Sequence, residues 1–108
     1  MRMISHFHHQ LGRPGEAQIA IRYFSLECEL TGMRGVRIPQ LAITLTTPGT
    51  EPDTESVDLD PELVSHLERV PDDGGWQPLL NRLAGRFGGR PMGELAERAA
   101  GLLRRLRN

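Results

Sequence analysis

Ala17-Gln18-Ile19-Ala20-Ile21-Arg22-Tyr23-Phe24-Ser25-Leu26-Glu27-Cys28-Glu29-Leu30 runs into Thr31-Gly32-Met33-Arg34-Gly35. The chain then returns as Val36-Arg37-Ile38-Pro39-Gln40-Leu41-Ala42-Ile43-Thr44-Leu45-Thr46-Thr47. Both flanks are rich in β-formers, and two glycines between them permit positive φ, so the stretch reads as a β-hairpin with a five-residue loop. Alternate residues of a strand face opposite sides. In the first strand the apolar set changes parity, from Ile19, Ile21 and Tyr23 to Phe24, Leu26, Cys28 and Leu30. The second strand does the same, from Val36 and Ile38 to Leu41, Ile43 and Leu45. Pairing about the loop centre sets Ile21 opposite Leu45, Tyr23 opposite Ile43, Cys28 opposite Ile38 and Leu30 opposite Val36. Under that register both strands change face at compatible places, and same-face neighbours across a pair stabilise it. The hairpin is therefore expected to be apolar on one side near its open end and on the other side near its tip. The competing reading is a β-bulge that rotates the tip so that both sets reach one core. Pro39 removes a ladder donor and marks an edge or a bulge.

Outward from the hairpin, residues 3–9 suit a first strand, and Leu11-Gly12-Arg13-Pro14-Gly15-Glu16 is turn chemistry. A polar stretch with Pro48 and Pro52 follows the hairpin, a loop expected to be mobile over about 47–56, with a short strand at 55–59. Asp60 then suits an N-cap and Pro61 a first helical position, with Leu63, Leu67 and Val70 on one face. Pro71-Asp72-Asp73-Gly74-Gly75 stops that helix. A second helix is expected from about Trp76 to Phe87 on Leu79, Leu80, Leu83 and Phe87. A third is expected from about Met92 to Arg107, burying Leu95, Ala99, Leu102, Leu103 and Leu106. The class is α+β, a small antiparallel meander of three or four strands followed by three helices. The 108 residues form a single domain, β-rich over 1–59 and helical over 60–108.

Composition narrows the function. All 13 basic residues are arginine. Without lysine, a phosphate loop of the Walker type and Schiff-base chemistry are both excluded. One cysteine, Cys28, excludes an internal disulfide, and no apolar run approaches the roughly 20 residues that span a bilayer. The expected compartment is the cytoplasm, with no membrane partner. The charge is unevenly placed: residues 1–75 hold 12 acids and six arginines, residues 76–108 two acids and seven arginines. Either the two regions neutralise each other within the fold, or the arginines offer a face to nucleic acid through Arg82, Arg86, Arg98 and Arg105. Arginines at a helix C-terminus also complement the dipole without any ligand.

Chemical motifs are sparse. No serine lies in a Gly-x-Ser-x-Gly elbow. Cys28 reads as a core thiol rather than an activated nucleophile. His6 and His8 share one strand face, spaced as two metal ligands could be, but nothing in the sequence places a third ligand, Glu16 or His66, nearby. His66 follows Glu62 by one helical turn and suits a solvated pair. No cofactor and no catalytic constellation emerge. The residues point to a non-enzymatic interaction protein, an adaptor, inhibitor or assembly subunit. Its partner is another protein or itself as a homodimer, since a large exposed apolar patch usually marks an interface. The expected contact set is Phe24, Leu26, Leu30, Val36 and Ile38, with Arg34 and Arg37 at its rim.

Overall fold

The computed structural model describes residues 1–29, 35–68 and 75–107. The chain forms β1 (Arg2–Leu11), β2 (Gln18–Cys28), β3 (Val36–Thr46) and β4 (Asp53–Asp58), then α1 (Pro61–Glu68), α2 (Trp76–Arg86) and α3 (Pro91–Arg107). The strands make one antiparallel sheet in the order β1-β2-β3-β4, and the helices follow, so the class is α+β. Among the described residues no helix is long and apolar enough to cross a membrane.

Local chemistry sets the joints. Gly12 takes φ +105°, which a side chain would strain, and the chain turns from β1 into β2. Pro48 and Gly49 (φ +83°) form a turn closed by the Thr50 amide on the Thr47 carbonyl at 3.1 Å, and β4 begins at Asp53, two residues before the expected start. The Leu63 amide donates to Asp60 Oδ1 at 2.9 Å, which caps α1.

One face of the sheet carries the core. Ile19 and Ile21 of β2 and Leu41, Ile43 and Leu45 of β3 pack against Leu63, Leu67, Leu79, Leu80, Leu83, Leu95 and Leu103 of the helices. Trp76, 2% exposed, stacks with Phe7 at 5.8 Å and His9 at 5.1 Å. Its ring thus ties α2 to β1 within the core that α1 shares. Leu106 remains 37% exposed, one turn beyond Leu103, the last α3 residue in the core, so the stripe expected of α3 stops short.

The register of the hairpin differs from the expected one. Ile21 lies opposite Ile43, Tyr23 opposite Leu41, Leu26 opposite Ile38 and Cys28 opposite Val36, a slip of two residues. A slip of two returns every side chain to its own face, so the apolar pattern cannot distinguish the two registers. The β2–β3 ladder runs without a shift from Gln18–Thr46 to Cys28–Val36, so no bulge in this pair rotates the tip. The bulge is in β1 instead, between Ser5 and Phe7. Pro39 lies where β4 has ended, since the β3–β4 ladder stops at Gln40–Asp58. The Leu59 amide still donates to the Pro39 carbonyl at 2.9 Å, and past this last contact β3 is an edge, where proline is tolerated.

The consequence is an elongated molecule, 52 × 28 × 27 Å. On the helix-side face the core ends at Tyr23 and Leu41. Past them that face carries Ile4, Ser25 and Pro39, then Arg2, Glu27 and Arg37. The β-ribbon runs on past Tyr23, its last residue against the core, by five residues to Cys28, about 17 Å, with the buried Ser25 bonded there to His6.

Candidate functional site

The outer face of the sheet, away from the helices, is built from the complementary residues. Toward the open end it is polar: Gln10 Nε2 donates to Gln18 Oε1 at 2.6 Å, the Thr44 and Thr54 hydroxyls meet at 2.9 Å, and His8 lies opposite Arg22. Toward the tip it is apolar. Met3, Leu26 and Ile38 form one row across β1, β2 and β3, and Cys28 and Val36 form the next. Met3 is 54% and Val36 40% exposed, while Leu26, Ile38 and Cys28 are half-buried. Leu26 and Leu41 thus point to opposite sides of the same ribbon, and the apolar side changes between residues 23 and 26 of β2.

The expected contact residues distribute unevenly. Leu26, Val36 and Ile38 stand together on this face. Phe24 is on it too but is only 9% exposed, because the Arg22 guanidinium lies 5.3 Å over its ring, so it forms the floor of the patch and not a projecting contact. Arg37 is not at the rim. Its odd position puts it on the helix-side face, where Glu27 accepts from its Nε at 3.1 Å and also faces Arg2 at 3.7 Å. Leu30 and Arg34, like the hairpin loop 30–34 and Val70 in the stretch 69–74, lie outside the described residues. Cys28 sits half-buried at the ribbon's projecting end, not in the core.

Met3 and Arg22 belong to the site without having been singled out. Arg22 Nη2 approaches Met3 Sδ at 3.6 Å and covers Phe24, joining β1 to β2 across the patch. Placing Met3 from sequence requires the β1–β2 register, and the bulge that sets it leaves no residue signal such as glycine. The same bulge separates the histidines. His6, the extra residue, turns to the helix side, where Nε2 lies 2.8 Å from the Ser25 hydroxyl and its ring 4.5 Å from Tyr23, while His8 faces outward opposite Arg22. The two do not converge as ligands, and among the described residues no group of three metal-ligating side chains forms.

The arginines of the helical half are largely committed. Arg82 pairs with Glu62 at 3.0 Å, Arg86 with Asp60, and Arg98 with Asp53 at 3.0 Å. Glu62 therefore serves Arg82 and not His66. Arg105 has no ion pair among the described residues. Three of the four candidate arginines thus pair with the acidic stretch, and Arg105 stands apart from it.

No known protein family, no curated protein and no solved structure matches the chain, so its own geometry carries the reading.

Proposed function

We propose that the chain is a small non-enzymatic interaction module, an adaptor, inhibitor or assembly subunit of the cytoplasm. It docks through the outer face of the projecting ribbon. The observation that carries this reading is the row Met3–Leu26–Ile38 with Val36 beside it, on a face and over a length that none of the described helices covers. A soluble chain that leaves such a row outside a core with so many fully buried leucines is presenting it to something.

The occupant that fits is an amphipathic helix of another protein, flanked by carboxylates. Three strands about 4.8 Å apart make a floor roughly 10 Å wide, the width of one helix. The length of about 17 Å matches some three turns. Arg22, with His8 opposite it on β1, is the basic residue on this face against the patch, while Arg2, His6 and His9 face the helix side and Asp58, in the Phe24 row, is engaged by Gln40. The strip is far smaller than the roughly 800 Å² per side of a stable interface, so it suits a transient contact with a partner rather than a stable homodimer.

The test attaches a photo-crosslinker to Cys28, the single cysteine, and exposes the full chain to extract of its source. The expected product survives Arg37→Glu on the opposite face and is lost in Leu26→Asp. The isolated partner segment should be an acid-flanked helix that binds more weakly as salt rises. A stable dimer closed by this face, or the absence of any Leu26-dependent product, overturns the reading.

A further inference from the structure

At the other end of the sheet, α3 and the open end of the hairpin enclose a cleft of about 310 Å³. Its floor is apolar, from Ala17, Leu45 and Leu102, and its walls carry Arg98 and Arg105, seven residues apart on one face of α3. Among the described residues no acidic one lines it. Arg98 already shares its charge with Asp53 at 3.0 Å, whereas Arg105 has no partner among the described residues. The helix end offers about half a negative charge, outweighed by Arg104 and Arg105 together, so the site is cationic. Gly101 keeps it open: a Cβ there would meet only Arg104 Nη2, at 3.8 Å.

A guanidinium without a partner beside an apolar floor selects two features in one ligand, a planar anion and a short greasy tail. We propose that this cleft binds a small terminal carboxylate bearing a short apolar group, with the carboxylate on Arg105 and the tail over Ala17, Leu45 and Leu102. A free short-chain acid and the C-terminus of a peptide ending in leucine present the same chemistry.

The experiment follows the Ala17 and Gly101 amides of the full chain by NMR. It titrates hexanoate, hexylamine, and a leucine-terminated peptide with a free or an amidated C-terminus. Saturable shifts with hexanoate near the ~millimolar range expected of so small a ligand assign a free acid. Shifts confined to the free-ended peptide assign a peptide terminus. In either case Arg105→Gln should weaken binding about tenfold. Arg90→Gln, outside the cleft, should leave it unchanged, and Gly101→Ala should weaken it with the fold intact, because the added methyl narrows the opening. The proposal is overturned if neither carboxylate shifts these amides, if hexylamine binds as tightly, or if Arg105→Gln has no effect.

Discussion

Tyr23 reports the boundary between the packed and projecting parts of the ribbon. Burial, and after it the charge of Glu68, holds its phenol above the ordinary value of 10.0. It is the single tyrosine, so the phenolate absorbance reads it without overlap. The expected midpoint lies above 10, and Glu68→Gln should bring it partway down, because burial remains. A midpoint at or below the ordinary value would mean that Tyr23 faces water. Asp60 tests the start of α1. The Leu63 amide on Oδ1, and after it the Arg86 guanidinium, hold its carboxyl below the usual range. Its charged form is favoured by folding, so it stabilises the native state at neutral pH and down through the ordinary carboxylate range. That contribution is lost only as the pH falls below the range and the carboxyl protonates. Asp60→Ala should therefore lower the melting temperature at neutral pH, and the difference from the natural chain should close in acid. The capping role of Asp60 was legible in the sequence from the Asp-Pro-Glu order. The Arg86 partner was not, since 26 residues separate the two.

Among the elements, α3 and α2 differ in what a methyl group would do. Gly93 is buried at the start of α3, where an added Cβ would fall on the Phe87 carbonyl. Backbone cannot yield as a flexible side chain can, so Gly93→Ala should cost about 3 kcal/mol in chemical denaturation. Gly85, in α2, has nothing within 4 Å of such a methyl and no positive φ. Gly85→Ala should stabilise by about 0.5 kcal/mol. Along the ribbon the contrast lies between faces. Leu41→Ala, from a fully buried side chain, should cost about 2–5 kcal/mol, while Leu26→Ser on the outer face should cost clearly less. Equal losses would show that both faces are covered by the chain itself. The faces were legible from parity because the side-chain period is two. The register was not, because a slip of two preserves parity. The β1 bulge was invisible for the opposite reason: a single extra residue changes parity only after it, and His6-Phe7-His8-His9 offers too few apolar positions to show the change.

At the scale of the molecule, the acidic stretch and the basic helices close on each other. The pairs Glu62–Arg82, Asp60–Arg86 and Asp53–Arg98 lie at the surface, where solvent screens them, so added salt should lower stability only slightly. They also occupy three of the four arginines, Arg82, Arg86 and Arg98, that a nucleic-acid interface would use. Duplex DNA at low salt should give no electrophoretic shift. A shift that weakens steeply with salt and disappears on neutralising Arg105 and Arg98 would restore that reading. In sedimentation the expected particle is a monomer with the frictional drag of a 52 × 28 × 27 Å body, set by the ribbon that outruns the helices.

By itself the sequence determined the order of strands and helices, the cap at Asp60, the leucine faces and the change of apolar side along the hairpin. Each is a property of neighbours a few residues apart, where backbone geometry ties spacing directly to direction. Only the tertiary structure decided how far the helices reach along the sheet, which carboxylate meets which arginine, that Arg22 roofs Phe24, and that Met3 completes the outer row. Those depend on registers and on contacts between distant segments, and no local period encodes the distance at which two such segments meet.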